Sequence, residues 1–259
     1  MDAESRLSTQ FRVFFALVMR EMTTRYGRSA GGYLWAVLEP AGAVALLSAV
    51  FAQIARLPPL GDSFPMYFAT GYLAFHVYVD ISRAVSASLK VNKALLGFPR
   101  VTMLDTVMAR FALQLLTVIV VFVAIIGGFI VVLEPQVSLD LRDVLLALAL
   151  AALLGLGVGA MNCVLFAFSP TWERVFGIVN RPLMLISGVF YNFESLPREI
   201  QAILWWNPLI HVTALMRRGF YDAYEPSFLS PAFAFFAGLL ATLAGVVLIR
   251  ALRARLLEL

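Results

Sequence analysis

The chain has 259 residues, 61% of them hydrophobic and only 14% charged, with a mean hydropathy of +0.86. A typical soluble domain is roughly 45–50% apolar and about 25% charged, so the balance excludes a disordered chain, a nucleic-acid-binding domain and an ordinary cytosolic enzyme, and leaves an all-α polytopic membrane protein. The formal charge of +4 and pI near 9.5 then report basic cytoplasmic loops rather than a nucleic-acid partner, and the single cysteine, Cys163, excludes an intrachain disulfide and a cysteine metal cage.

Residues 1–33 carry five arginines and no apolar run long enough for a cleavable signal peptide. Within them, residues 8–29 are amphipathic. Phe11, Phe14, Phe15, Leu17, Val18 and Met22 can share one face, and Arg12, Arg20, Glu21 and Arg25 the other. Such a helix is expected in the cytoplasmic interface, so residues 1–30 form a cytoplasmic amino terminus. It serves there as a passive anchor or as a lever between a partner and the spans, and the sequence does not separate the two.

A transmembrane domain is expected over residues 31–252, followed by a cytoplasmic tail over 253–259. Six stretches approach the ~20 apolar residues needed to cross the hydrocarbon core. They are Leu34 to Leu57, Phe64 to Ser82, Leu104 to Leu133, Val144 to Phe168, Val175 to Phe193 and Phe228 to Ile249. The fifth is interrupted by Asn180, Arg181 and Pro182. In the fourth, Gly155 and Gly159 stand four apart, where two helices can approach closely; packing within the chain is the favoured reason.

Two connections are not plain loops. Residues 86–104 are longer than a bundle turn of about 2–8 residues requires. Lys90, Asn92, Lys93, Leu95, Leu96 and Phe98 suggest a short helix with an apolar tip, ended by Pro99 before Arg100. That tip suits a pocket on another protein or the lipid surface. The stretch from Glu194 to Glu225 reads as two short helices, Pro197 to Trp206 and Leu209 to Tyr224, broken at Asn207-Pro208. Helices too short to span are tolerated at membrane depth where protein buries them or a wet cavity adjoins them. Tyr191, Trp205 and Trp206 belong to an aromatic-rich region that forms an interfacial belt or presents rings to cargo such as sugars.

Lysine and arginine set the orientation. Arg6, Arg12, Arg20, Arg25 and Arg28, then Arg83, Lys90, Lys93 and Arg100, then Arg174 and Arg181, then Arg250, Arg253 and Arg255 fall on one side. The other side carries Arg142, Arg198, Arg217 and Arg218. Both termini are therefore expected in the cytoplasm. Ionisable residues within spans, Glu39, Asp80, Arg110 and Arg181, lie near the cytoplasmic leaflet, where snorkelling lowers their cost. A Glu39–arginine pair is a plainer expectation for Glu39 than a cargo contact. His76 and His211 have no neighbour at metal-ligand spacing, and no metal site is expected. The phosphate loop, H-E-x-x-H and G-x-G-x-x-G are all absent. The chain thus reads as the membrane half of a machine powered elsewhere, with no catalytic residues of its own.

Several segments together resemble a known family. Arg20-Glu21, Arg25-Tyr26-Gly27, Gly31 to Ala36 and Glu39-Pro40 resemble the entry segment of ATP-binding-cassette permeases that export polysaccharides, of the type-2 class. Asn92-Lys93 to Phe98-Pro99-Arg100 is similar to that family's first cytoplasmic connection. Pro170 to Glu173, Arg181-Pro182, Ser187 to Phe190, Leu196-Pro197, Trp206 to His211 and Arg217 to Phe220 resemble the KpsM-like capsule-exporter branch. The likeness runs over about residues 10–250. One local departure is the acid in Asn192-Phe193-Glu194.

The resemblance implies six transmembrane helices, an amino-terminal interface helix, and two short periplasmic re-entrant gate helices over 196–224, between helices 5 and 6. It implies coupling segments at 90–100 and 169–174 that dock on a separate ATPase, with Lys90, Asn92, Lys93, Phe98, Arg100, Trp172 and Glu173 as coupling residues. Trp35, Glu39, Arg181, Tyr191, Trp205 and Trp206 are the expected channel residues. The implied partners are a second copy of the chain, two ATP-binding-cassette ATPase subunits and a lipid-linked polysaccharide, with room for a periplasmic or outer-membrane export adaptor. ATP and magnesium belong to the ATPase, and this chain binds no cofactor. The implied location is the bacterial inner membrane and the implied role capsular polysaccharide export. Export of O-antigen, teichoic acid or a small drug is the alternative, and a membrane-embedded glycosyl- or phosphotransferase ranks below both.

Overall fold

The computed structural model describes residues 3–26, 32–98, 101–133 and 137–258. Among them no strand forms. The helices in chain order are α1 (Ala3–Tyr26), α2 (Gly32–Ile54), α3 (Phe64–Ser86), α4 (Ser88–Val91), α5 (Met103–Leu133), α6 (Leu141–Phe168), α7 (Pro170–Leu185), α8 (Arg198–Leu204), α9 (Pro208–Arg218), α10 (Pro231–Ala251) and α11 (Arg253–Glu258). Single 3-10 turns cover Lys93–Leu95 and Phe193–Ser195. The starts are set by local chemistry. Ser63, Ser169, Asn207 and Ser230 each accept a hydrogen bond from a backbone N–H of the first turn, and a proline stands at the first or second helical position after each. A hydroxyl or amide cap answers an orphan N–H, and proline there forfeits no bond.

Among the described residues four helices are long and apolar enough to cross a bilayer: α2 over Leu34–Ile54, α5, α6 and α10. α3 is largely enclosed and packs on α2, α5, α6 and α9. α6 lies between α3 and α10. Its glycines alternate sides. A Cβ on Gly155 would meet the Tyr78 carbonyl at 2.9 Å and one on Gly159 the Val85 Cβ at 2.7 Å, both on α3, whereas one on Gly157 would meet the Thr242 nitrogen of α10 at 2.7 Å. Gly238 and Gly245 return the fit from α10, since Cβ atoms there would meet Leu153 at 2.9 Å and Ala160 at 2.6 Å. The close approach is therefore within the chain, and dispersion between backbones holds it.

The helix covering the fifth expected span ends at Leu185, well short of Phe193. Pro182 removes a backbone donor one turn before the end, and Gly188 turns the chain with φ +73°. The residues from Ile186 to Asn192 instead fold back toward α9 and α3. The second of the two short helices stops at Arg218 rather than Tyr224. There the Gly219 carbonyl accepts from the Asp140 N–H at 2.8 Å, and a Cβ on Gly219 would strike Val144 at 2.7 Å, so the chain crosses the start of α6 too closely for a further helical turn. The helix expected across 86–104 is shorter than its sequence suggests: one α turn, one 3-10 turn, then an exposed Phe98. Its expected terminator Pro99 and the adjacent Arg100 lie outside the described residues.

Candidate functional site

A groove of about 510 Å³ runs between α3 and α7. Tyr72, His76 and Arg83 line it from α3, and Arg174, Asn180 and Arg181 from α7. Spacings of four and seven put the α3 residues on one helical face. α7 leans on α6 and not closely on α3, which leaves the space between them. Arg174 and Arg181 make no ion pair with the described residues, while His76 Nδ1 lies 3.0 Å from Asp80 Oδ2 on the same helix. Glu173 also lines the groove but is engaged by Lys90, so the guanidinium groups of Arg83, Arg174 and Arg181 outnumber the carboxylates, a lining that attracts anions. Arg181 was an expected channel residue. Arg83 and Arg174 were read only as topology charges, because nothing in the sequence says that α3 and α7 face one another.

At one end of α3, the connection to α5 is tied on both sides. Lys90 Nζ meets Glu173 Oε2 at 3.1 Å, joining this connection to the start of α7. Asn92 Nδ2 donates to Glu21 Oε1 at 2.7 Å, Asn92 Oδ1 accepts from Arg20 at 3.0 Å, and Glu21 Oε1 also receives Arg110 Nε at 3.1 Å. Trp172 Nε1 donates to Asn162 Oδ1 at 2.9 Å, which fixes the α6–α7 corner. Phe98 stands out at 60% exposure. Lys90, Asn92, Trp172 and Glu173 are thus gathered at one end of the molecule, with Lys93 on the same short connection. Arg100 lies outside the described residues.

At the other end of α3, Arg217 of α9 is 2% exposed. Its Nη1 donates to the Tyr191 carbonyl at 2.9 Å and to Asn192 Oδ1 at 3.3 Å, and its Nη2 to the Val189 carbonyl at 2.9 Å. Its guanidinium carbon lies 4.1 Å from the centre of the Tyr67 ring, and the Tyr67 hydroxyl also reaches Asn192 Oδ1, at 3.2 Å. One cation thus pins the loop after α7 to α3 by charge-assisted bonds and a ring face. The next residue, Arg218, forms a two-pronged pair with Asp143 of α6, with Nη2 to Oδ1 at 2.8 Å. That hydrogen bond raises the pKa of the already strongly basic Arg218.

The expected exit aromatics divide. Trp205 is partly buried against His211 and Phe233 and donates from Nε1 to the Phe228 carbonyl at 3.2 Å, while Trp206 is 69% exposed. Tyr191 is half-buried on the loop that Arg217 holds. Trp35 and Glu39 lie on exposed turns of α2. Glu39 pairs with no arginine among the described residues; the carboxylate that does is Glu21, with Arg110. Sequence reasoning missed this because Glu21 and Arg110 are far apart in the chain, one read on the polar face of the amphipathic segment and the other as a snorkelling charge within a span. It likewise missed Arg217 as a hub, since an arginine in a short helix gives no sign of burial.

Long apolar helices packed through glycine, beside two helices too brief to span, mark an integral membrane protein. The chain belongs to the ABC-2 type transporter family, whose pattern matches residues 12–221. It is 29% identical to the polysialic acid transport protein KpsM of Escherichia coli, over 86% of each chain. The capsule polysaccharide export inner-membrane protein CtrC of Neisseria meningitidis is 29% identical over 94% of this chain and 92% of the relative. BexB of Haemophilus influenzae, also a capsule polysaccharide export inner-membrane protein, is 27% identical over the same shares.

Proposed function

We propose that this chain is the membrane permease subunit of an ATP-driven exporter that moves a lipid-linked capsular polysaccharide across the inner membrane. Two copies form the channel and two separate ATPase subunits drive it. In this reading α2, α3, α5, α6, α7 with the segment after it, and α10 make six passages, and both termini face the cytoplasm. The segments at 90–100 and 169–174 receive the ATPase, with Lys90, Lys93, Phe98, Arg100, Trp172 and Glu173 at or beside the contact. α8 and α9 form the external gate. Trp35 and Glu39 border the cytoplasmic entrance, and Tyr191, Trp205 and Trp206 stand near the exit, where aromatic faces suit the apolar C–H surfaces of sugars.

The observation that carries this reading is the α3–α7 groove, with Arg83, Arg174 and Arg181 on its walls. It suits the phosphate of a lipid carrier or the acidic sugars of a capsule, and the relatives named above support a capsule over O-antigen, teichoic acid or a drug. The deciding experiment is polymer location in cells lacking the chain. Polymer trapped inside with synthesis intact is expected. Normal surface polymer would remove the capsule reading, and loss of polymer from both places would favour an enzyme.

A further inference from the structure

A helix that merely lies on a membrane needs an apolar face toward lipid and charges toward water. α1 departs from that. Glu21 is 5% exposed and Asn92 1% exposed, and they meet at 2.7 Å where α1, the α3–α5 connection and α5 converge. Every polar end of the Asn92 side chain is used: Oδ1 by Arg20, and Nδ2 by Glu21 and by the Ser88 carbonyl at 3.1 Å. Glu21 also takes Arg110 Nε of α5 at 3.1 Å, and Arg110 Nη1 donates to the Ala84 carbonyl of α3 at 3.2 Å. Withdrawing a carboxylate and a guanidinium from water is costly, and a buried pair of this kind adds little to stability over apolar packing; what it adds is a fixed geometry.

We infer that Glu21 is a positioning residue that joins α1, the α3–α5 connection and the start of α5 into one mechanical unit, so that α1 is a lever rather than an anchor. A displacement of the connection draws Asn92. Asn92 draws Glu21, and Glu21 carries α1 and Arg110 with it. The inference rests on the reading of the connection as the place where the ATPase pushes. The geometric half stands on the chain alone.

The test uses E21Q, N92A and the double variant E21Q/N92D, which returns a carboxylate beside Arg20 and an amide on α1 to donate to it. Amide hydrogen exchange over residues 88–98 is measured on the chain alone. Export per ATP hydrolysed is measured on the chain assembled with its ATPase in vesicles. In E21Q and in N92A, exchange over 88–98 is expected to rise at least about tenfold, and export per ATP to fall to roughly a tenth while hydrolysis continues. The double variant recovers both. N92A leaves the Glu21–Arg110 pair in place and keeps the test open if E21Q fails to fold. Unchanged exchange in both single variants, or unchanged export per ATP, overturns the inference. Faster exchange in the variants of a chain whose wild type exports nothing overturns the export reading and leaves the linkage standing.

Discussion

Lys90 and Glu173 stand 3.1 Å apart and link the α3–α5 connection to the first turn of α7. Their side chains are 74% and 44% exposed, so the pair contributes ~0–1 kcal/mol to stability. Reversing Glu173 with E173K should leave thermal stability within about 0.5 kcal/mol. If both segments engage the ATPase, the same variant should lower polymer-stimulated hydrolysis severalfold, and the swapped pair K90E/E173K should restore part of it. Hydrolysis assays on the reconstituted complex check this.

The groove arginines should act as separate, roughly additive anion contacts. A guanidinium–anion contact on a wet wall is worth about 1 kcal/mol, or about fivefold in affinity. R174A and R181A should each weaken an anionic polymer by about that factor, and a neutral polymer hardly at all. Titration of purified polymers against the solubilised protein separates the cases, and an R181A protein with wild-type affinity would remove the groove from the binding path.

Arg217 is the opposite kind of charge, sealed and bonded to carbonyls. Removing it in R217A leaves the Val189 and Tyr191 carbonyls without their donor, at a cost of about 3 kcal/mol. R217K keeps the cation but cannot reach both carbonyls in the same plane, and should fall between. Denaturant titration reads the order wild type, R217K, R217A.

His211 sets a pH dependence on the α8–α9 region. The Ser230 N–H donates to Nδ1 at 3.2 Å, so Nε2 carries the ring proton and donates to the Trp205 carbonyl at 2.8 Å. Burial pushes the His211 pKa below its ordinary value, and the Trp205 bond opposes it only in part. The folded chain therefore refuses a proton that the unfolded chain accepts. The contribution is complete above about pH 6.5 and is lost as pH falls below it. Melting at pH 7.5 and at pH 5 should show a larger drop for the wild type than for H211Q.

What the sequence made legible was whatever a single stretch of chain can carry. Hydropathy marked the helices of α2, α5, α6 and α10, and the Asn207-Pro208 pair marked the start of α9. The small residues of α6 announced a close approach but not its partners. The end of α7 was lost because Leu183 to Phe190 stays largely apolar through a turn that depends on Gly188 and on Arg217, far along the chain. The groove and the Glu21–Arg110 pair were out of reach for the same reason. Each is made by residues on helices separated in sequence, and one sequence records no distance between them.

The glycines of α6 have one more consequence. With Gly155 and Gly159 seated on α3 and Gly157 on α10, the three backbones are separated by almost no side-chain padding. Steps of a methyl group already collide, so sliding or tilting these helices past one another has no low-energy track. The trio is a keel. Any change of shape during a working cycle falls to the elements hung on its flanks: α1, α2, α5, α7 and the short external helices. A bulky residue at Gly159 should cost about 3 kcal/mol, while G127A on α5, where a Cβ meets nothing within 4 Å, should cost nothing and stabilise by up to about 1 kcal/mol. Comparing the two by denaturation would show where the molecule is stiff.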